Sequence, residues 1–119
     1  MKGAIAAVMA AFLIASPVEA AEDPSSANWM MPGCRQIGAP RTDEPFLSGV
    51  CLGIASALQY VGFALPEPRR FCSPSNATYG QAVRVIAAYI DARPGRMHEN
   101  FMQLALEAMH EAWPCPKTR

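Results

Sequence analysis

Four cysteines, Cys34, Cys51, Cys72 and Cys115, restrict this 119-residue chain more than any other feature. Their number is even and no two stand close enough for a C-x-x-C pair, which leaves a zinc cluster or a thioredoxin-like redox site as the weak alternative. In a small chain that leaves the cytoplasm, such a set reads as two disulfides. The start of the sequence supplies the export. Lys2 gives a basic opening, Ala4 to Ala15 is an uncharged run of Ala, Ile, Val, Met, Phe and Leu, and Pro17 breaks it. Val18-Glu19-Ala20 then offers small residues at the minus-three and minus-one places of a signal-peptidase site. A signal peptide over residues 1–20 is expected, cleaved after Ala20. The run is too short to span a bilayer, which needs roughly 20 apolar residues. No cysteine follows closely enough for lipid attachment.

What remains is about 99 residues, the size of one domain with its own core but little to spare. The chain holds ten basic and ten acidic residues, and cleavage removes Lys2 and Glu19, one of each, leaving nine against nine. A neutral chain of this kind has no electrostatic draw toward nucleic acid or an anionic membrane. Residues 21–28 are polar and expected to be a flexible mature N-terminus. The folded domain is expected over 29–116.

Helical periodicity organises that domain. Trp29 to about Ile37 reads as a short helix, Gly38 to Glu44 as a loop, and Pro45 as the first turn of a longer helix. Leu47, Val50, Cys51, Ile54, Leu58 and Val61 form its apolar stripe. Thr78 and Gln81 make a T-x-x-Q capping box that starts a third helix, with Ala82, Val83, Ile86, Ala87 and Ile90 on one face and Pro94-Gly95 as its stop. From about His98 to Trp113 a fourth helix carries Phe101, Leu104, Ala105, Ala108 and Ala112, and Pro114 ends it. The expected fold is all-α, a small antiparallel bundle of about four helices. The short link between the last two helices makes them antiparallel, which brings Cys72 beside Cys115. Cys34 and Cys51 lie at similar distances from the loop between the first two helices and form the other pair. By loop-closure entropy the two bridges are worth about 3 and about 4 kcal/mol.

Two further readings concern what the chain does. Leu47 to Leu65 lacks charged side chains and could be mistaken for a membrane span, but Ser48, Ser56, Gln59 and three glycines dilute it, so a central core helix is expected. Gly49, Gly53 and Ala57 recur every four residues and would let another helix come close, within the chain or across a dimer. Catalytic constellations are missing. His98-Glu99 begins like H-E-x-x-H, yet the fifth position is Met102, and no G-x-S-x-G, phosphate-binding glycine loop or spare nucleophilic cysteine occurs. No enzyme activity, metal or cofactor is expected.

Four segments together resemble one family. They are Trp29-Met30-Met31-Pro32-Gly33-Cys34-Arg35, Phe46-Leu47-Ser48-Gly49-Val50-Cys51-Leu52-Gly53, Cys72-x-Pro74 leading to Gly80-Gln81-Ala82-Val83-Arg84-Val85, and Leu104-Ala105-Leu106-Glu107-Ala108 closing on Trp113-Pro114-Cys115-Pro116. The chain resembles the Rap/Tai family of resistance-associated and type VI amidase immunity proteins, from about Trp29 to Cys115. That resemblance implies a periplasmic, all-helical, often homodimeric protein. Its partner would be a cognate secreted effector of type VI secretion, such as a peptidoglycan amidase, neutralised by covering its cleft. A periplasmic chaperone or stress-binding protein without a dedicated effector is the alternative. Partner binding is expected at the loop Pro66 to Phe71, through Glu67, Arg69, Arg70 and Phe71, because two prolines stiffen it and Cys72 pins its end. The turn from Arg93 to Arg96 is the second candidate.

Overall fold

The computed structural model describes residues 21–117 and the isolated positions 3, 16 and 17, so the signal-peptide reading over 1–20 lies outside the described stretch. Among the described residues four α-helices follow one another: α1, Ala27–Arg35; α2, Pro45–Val61; α3, Tyr79–Asp91; and α4, Phe101–Ala112. Short 3-10 turns extend α2 over Gly62–Ala64 and bridge α3 to α4 over Pro94–Arg96. The expected all-α bundle is what forms, and the described residues contain no strand.

Side-chain caps explain where three of the helices begin. An N-cap oxygen satisfies an amide that the helix itself cannot. Thr78 Oγ1 accepts from the Gln81 amide at 3.0 Å, the predicted half of the capping box. Asn100 Oδ1 accepts from the Gln103 amide at 3.2 Å. Ser26 Oγ accepts from the Trp29 amide at 3.3 Å, so α1 starts two residues earlier than the periodicity suggested. α2 starts instead with Pro45 in its first turn.

Ser26 also marks where the expected flexible segment 21–28 is corrected. The Phe101 amide donates to the Ser25 carbonyl at 2.8 Å, the Ala27 amide to Glu99 at 3.0 Å, and the Asn28 amide to Met97 at 2.8 Å. This strap ties the chain from Ser25 onward to the segment entering α4. Its donors and acceptors are backbone groups, which no side-chain pattern announces.

The two disulfides pair as predicted. Cys34 and Cys51 join α1 to α2 with Cα atoms 5.4 Å apart, and Cys72 and Cys115 join the two flanks of the α3–α4 region at 4.8 Å. Beside the second bridge the Cys72 amide donates to the Trp113 carbonyl at 2.8 Å. α1 and α2 touch backbone to backbone at Gly33, where an added Cβ would stand 2.4 Å from the Leu47 carbonyl carbon. The Ser48 hydroxyl donates to the Gly33 carbonyl across this contact at 2.9 Å.

That contact also turns α2. Its buried face is Leu47, Ser48, Cys51, Ala55 and Leu58, while Val50 and Ile54 are half-buried and Val61 is exposed. The predicted stripe was therefore centred too far round the helix. A bridge at Cys51 and a seat for Gly33 at Leu47 and Ser48 decide the rotation, ahead of the bulk of Val50 and Ile54. In α4 Met109 is buried and Ala112 exposed, a smaller shift of the same kind. The centre of the molecule is filled by Met31, Phe71, Ile86, Ile90, Phe101, Leu104 and Met109.

Candidate functional site

The segment after α2 is held from both ends. Phe71 donates its amide to the Gly62 carbonyl at 3.2 Å and lays its ring where a Cβ on Gly62 would be, 2.4 Å from Cζ. It is fully buried. Phe71, predicted to contact a partner, is instead a core residue, because the glycine at 62 leaves a ring-sized space that the loop's end falls into. Next to it the Arg70 carbonyl meets His110 Nδ1 at 2.6 Å, which fastens the loop to α4. Glu67, Arg69 and Arg70 remain exposed.

Arg69 and Pro68 form one wall of a cleft of about 560 Å³ against α3 and α4. Tyr89, Gln103, Leu106 and Glu107 line its opposite side, with His110 and Glu111 completing it. The second predicted segment reaches the same cleft from behind. Arg96 Nη1 donates to Glu107 Oε2 at 2.7 Å, and its Nη2 and Nε donate to Glu99 at 2.7 and 2.8 Å. Arg93 stacks over the Tyr89 ring, 3.6 Å from its centroid, and reaches Glu111 Oε2 at 3.4 Å. The two predicted patches thus meet at one concavity: Arg69 lines it directly, and Arg93 and Arg96 act through Glu111 and Glu107.

Charge sharing sets the state of these groups. Hydrogen bonds from Arg96 hold the Glu107 carboxyl down to about 2, against the effect of its partial burial, with Tyr89 and Gln103 as further donors. Arg96 likewise lowers the Glu99 carboxyl. Burial, then the bond its hydroxyl donates to Glu107 at 2.8 Å, raises Tyr89. Glu107 and Arg96 are an interlocked pair rather than free recognition charges, whereas the exposed Arg69 and Arg70 put positive charge at the rim.

The sequence pattern gave no site role to Glu107, Glu111, Tyr89 or Gln103. The signal it lacked is the distance in sequence between Arg96 and Glu107, which only the turn over Pro94–Arg96 converts into contact. No group of three or more His, Cys, Asp or Glu converges as a metal site among the described residues.

The outer side of α2 is the other notable surface. Phe46, Tyr60 and Phe63 are 76%, 83% and 63% exposed. With its 3-10 extension the helix is long and apolar enough to cross a membrane by length and composition. Its inner face nonetheless lies in the core, and Cys51 is bridged to α1.

A family model described as Rap1a immunity proteins matches residues 26–115 of the chain. No curated protein and no solved structure matches the chain significantly.

Proposed function

Because the chain belongs to the family of Rap1a immunity proteins, we propose that it is exported, loses residues 1–20, and protects its own cell in the periplasm by binding a cognate type VI effector. Protection comes from occlusion, with no chemistry, metal or cofactor of its own, and α2 serves as a core helix rather than an anchor. The carrying observation is the family match, whose span includes all four bridged cysteines and all four helices. The contact surface in this reading is the rim of the cleft, where Arg69 and Arg70 stand on a loop fixed by Phe71, Cys72 and the Arg70–His110 bond. A loop so fixed loses little entropy on entering an effector's cleft. In this reading the working form is a homodimer.

The test is competition between sister cells. A strain deleted for this gene should die when grown among parents with active type VI secretion, and survive when the parents' secretion apparatus is disabled. A plasmid copy should restore survival, and the same copy without residues 1–20 should not. Survival of the deletion strain among active parents would remove the immunity reading. Replacing both Arg69 and Arg70 with alanine should weaken effector binding by about tenfold or more, with circular dichroism unchanged. Phe71 is left in place, since its removal would unfold the core.

A further inference from the structure

The turn that follows Cys72 closes a second hollow, which the immunity reading does not use. Gln59 on α2 donates through Nε2 to the Ala77 carbonyl at 3.3 Å, and the Ala77 amide donates to the Pro74 carbonyl at 3.0 Å. These bonds hold residues 73–77 against the last turns of α2 as a rim. The hollow, about 250 Å³, is lined by Ser56, Gln59 and Tyr60 from α2, Ser73 and Ser75 from the turn, and Tyr79 from the start of α3. None of its lining residues carries a formal charge, and it shares none of them with the cleft beside Arg69. Both tyrosines are exposed.

Two atoms of this hollow are out of balance. Gln59 Oε1 and Ser73 Oγ are buried, and among the described residues neither has a hydrogen-bond partner. The bond to the Ala77 carbonyl fixes the Gln59 amide this way round. A buried polar atom left unpaired is costly, so the pair states what a ligand must bring: a donor for the amide oxygen, which only accepts, and a donor or an acceptor for the hydroxyl. A charged ligand would find no counter-charge here. A proline-rich segment suits aromatic-lined grooves, yet its prolines carry no N–H and would leave Gln59 Oε1 unpaired. A sugar ring meets both demands. Each of its hydroxyls donates and accepts, and its C–H face packs against the electron-rich face of an aromatic ring. The volume agrees: it falls below the roughly 300 Å³ at which sites for drug-sized ligands begin, which suits one ring with its neighbours in solvent.

We propose that this hollow is a saccharide site, taking one ring of a neutral glycan against Tyr60 and Tyr79, with a ring hydroxyl or an acetamido N–H donating to Gln59 Oε1 and a neighbouring hydroxyl bonded to Ser73 Oγ. Ser73 turns on a single side-chain torsion and Gln59 is tied only through Nε2, so small rotations bring both atoms to the ring. The site lies outside the immunity reading and does not rest on it.

The probes are chitotriose, cellotriose and a polyproline peptide, each added at millimolar concentration to the isotope-labelled exported protein. With at least one of the two sugars, the Gln59 side-chain amide and the backbone amides of Ser73, Ser75 and Tyr79 should shift in two-dimensional NMR spectra, while those of Arg69 and Glu107 stay. A response to chitotriose alone supports the acetamido N–H as the donor, and a response to both sugars a ring hydroxyl. Tyr79→Ala should weaken the binding about tenfold, and because Tyr79 is exposed the helical spectrum and both bridges should be unchanged. Ser73→Ala separates a site from a packing defect. It should raise the melting temperature without sugar, since an unpaired buried hydroxyl is gone, and lower sugar affinity about fivefold. Stability gained at unchanged affinity would give the two atoms to ordered water and overturn the proposal. So would silence with both sugars, shifts confined to the cleft beside Arg69, or a response to the polyproline peptide alone. No effector enters these measurements, so their failure leaves the immunity reading to its own test.

Discussion

Gly33 and Gly49 sit on facing helices and obey opposite rules. A methyl group at Gly33 would strike Leu47 and Ser48, whereas at Gly49 it meets open space. Gly33→Ala is expected to lower stability by about 1–3 kcal/mol through overpacking, and Gly49→Ala to raise it by up to about 1 kcal/mol through helix propensity. Urea unfolding of dilute protein checks both. Glu107 gives a pH-dependent counterpart. Its carboxyl falls from an ordinary 4.5 to about 2 in the folded chain, so its contribution is fully present above pH 4.5 and is lost as pH falls through about 2. Glu107→Gln should therefore lower the melting temperature at pH 7, and the gap to wild type should close between pH 4.5 and 2. A gap independent of pH would mean that the Arg96 bond contributes nothing. At this scale the sequence was legible where cause and effect are neighbours, as with Thr78 and Gln81. It was not legible at Phe71, whose fate depends on a missing side chain at Gly62, or at Arg96, whose partner lies beyond a turn.

Helix existence and cysteine pairing were read correctly because both follow from spacing. The rotation of α2 was not, since its stripe runs almost all the way round and offers no polar face to orient it. What orients it is contact with α1: the Cys34–Cys51 bridge and the Gly33 seat. Removing a bridge should therefore act on elements rather than on single contacts. Cys72→Ser with Cys115→Ser opens a 43-residue separation and should cost up to about 4 kcal/mol, and Cys34→Ser with Cys51→Ser opens 17 residues and should cost up to about 3. Denaturant midpoints should fall in that order. The first loss should also increase hydrogen exchange in α4, because the Cys72–Trp113 bond frays with it.

For the molecule as a whole, the expected mature N-terminus is Ala21, four residues ahead of the strap at Ser25. Intact mass of the exported protein checks this, and a retained leader would contradict it. Mature ends this close to folded structure leave little room between peptidase and domain, so moving the cleavage site two or three residues later should loosen the strap and lower the melting temperature. The placement of the bridges carries a consequence in time. Cys34 and Cys51 are both available while the last third of the chain is still being delivered. Cys115 arrives only after all four helices have been delivered. Ser25, the first residue of the strap, must likewise wait for Phe101 before its carbonyl finds a donor. Assembly can thus be seeded at the Cys34–Cys51 bridge, while the closure of α4 by the second bridge waits for Cys115.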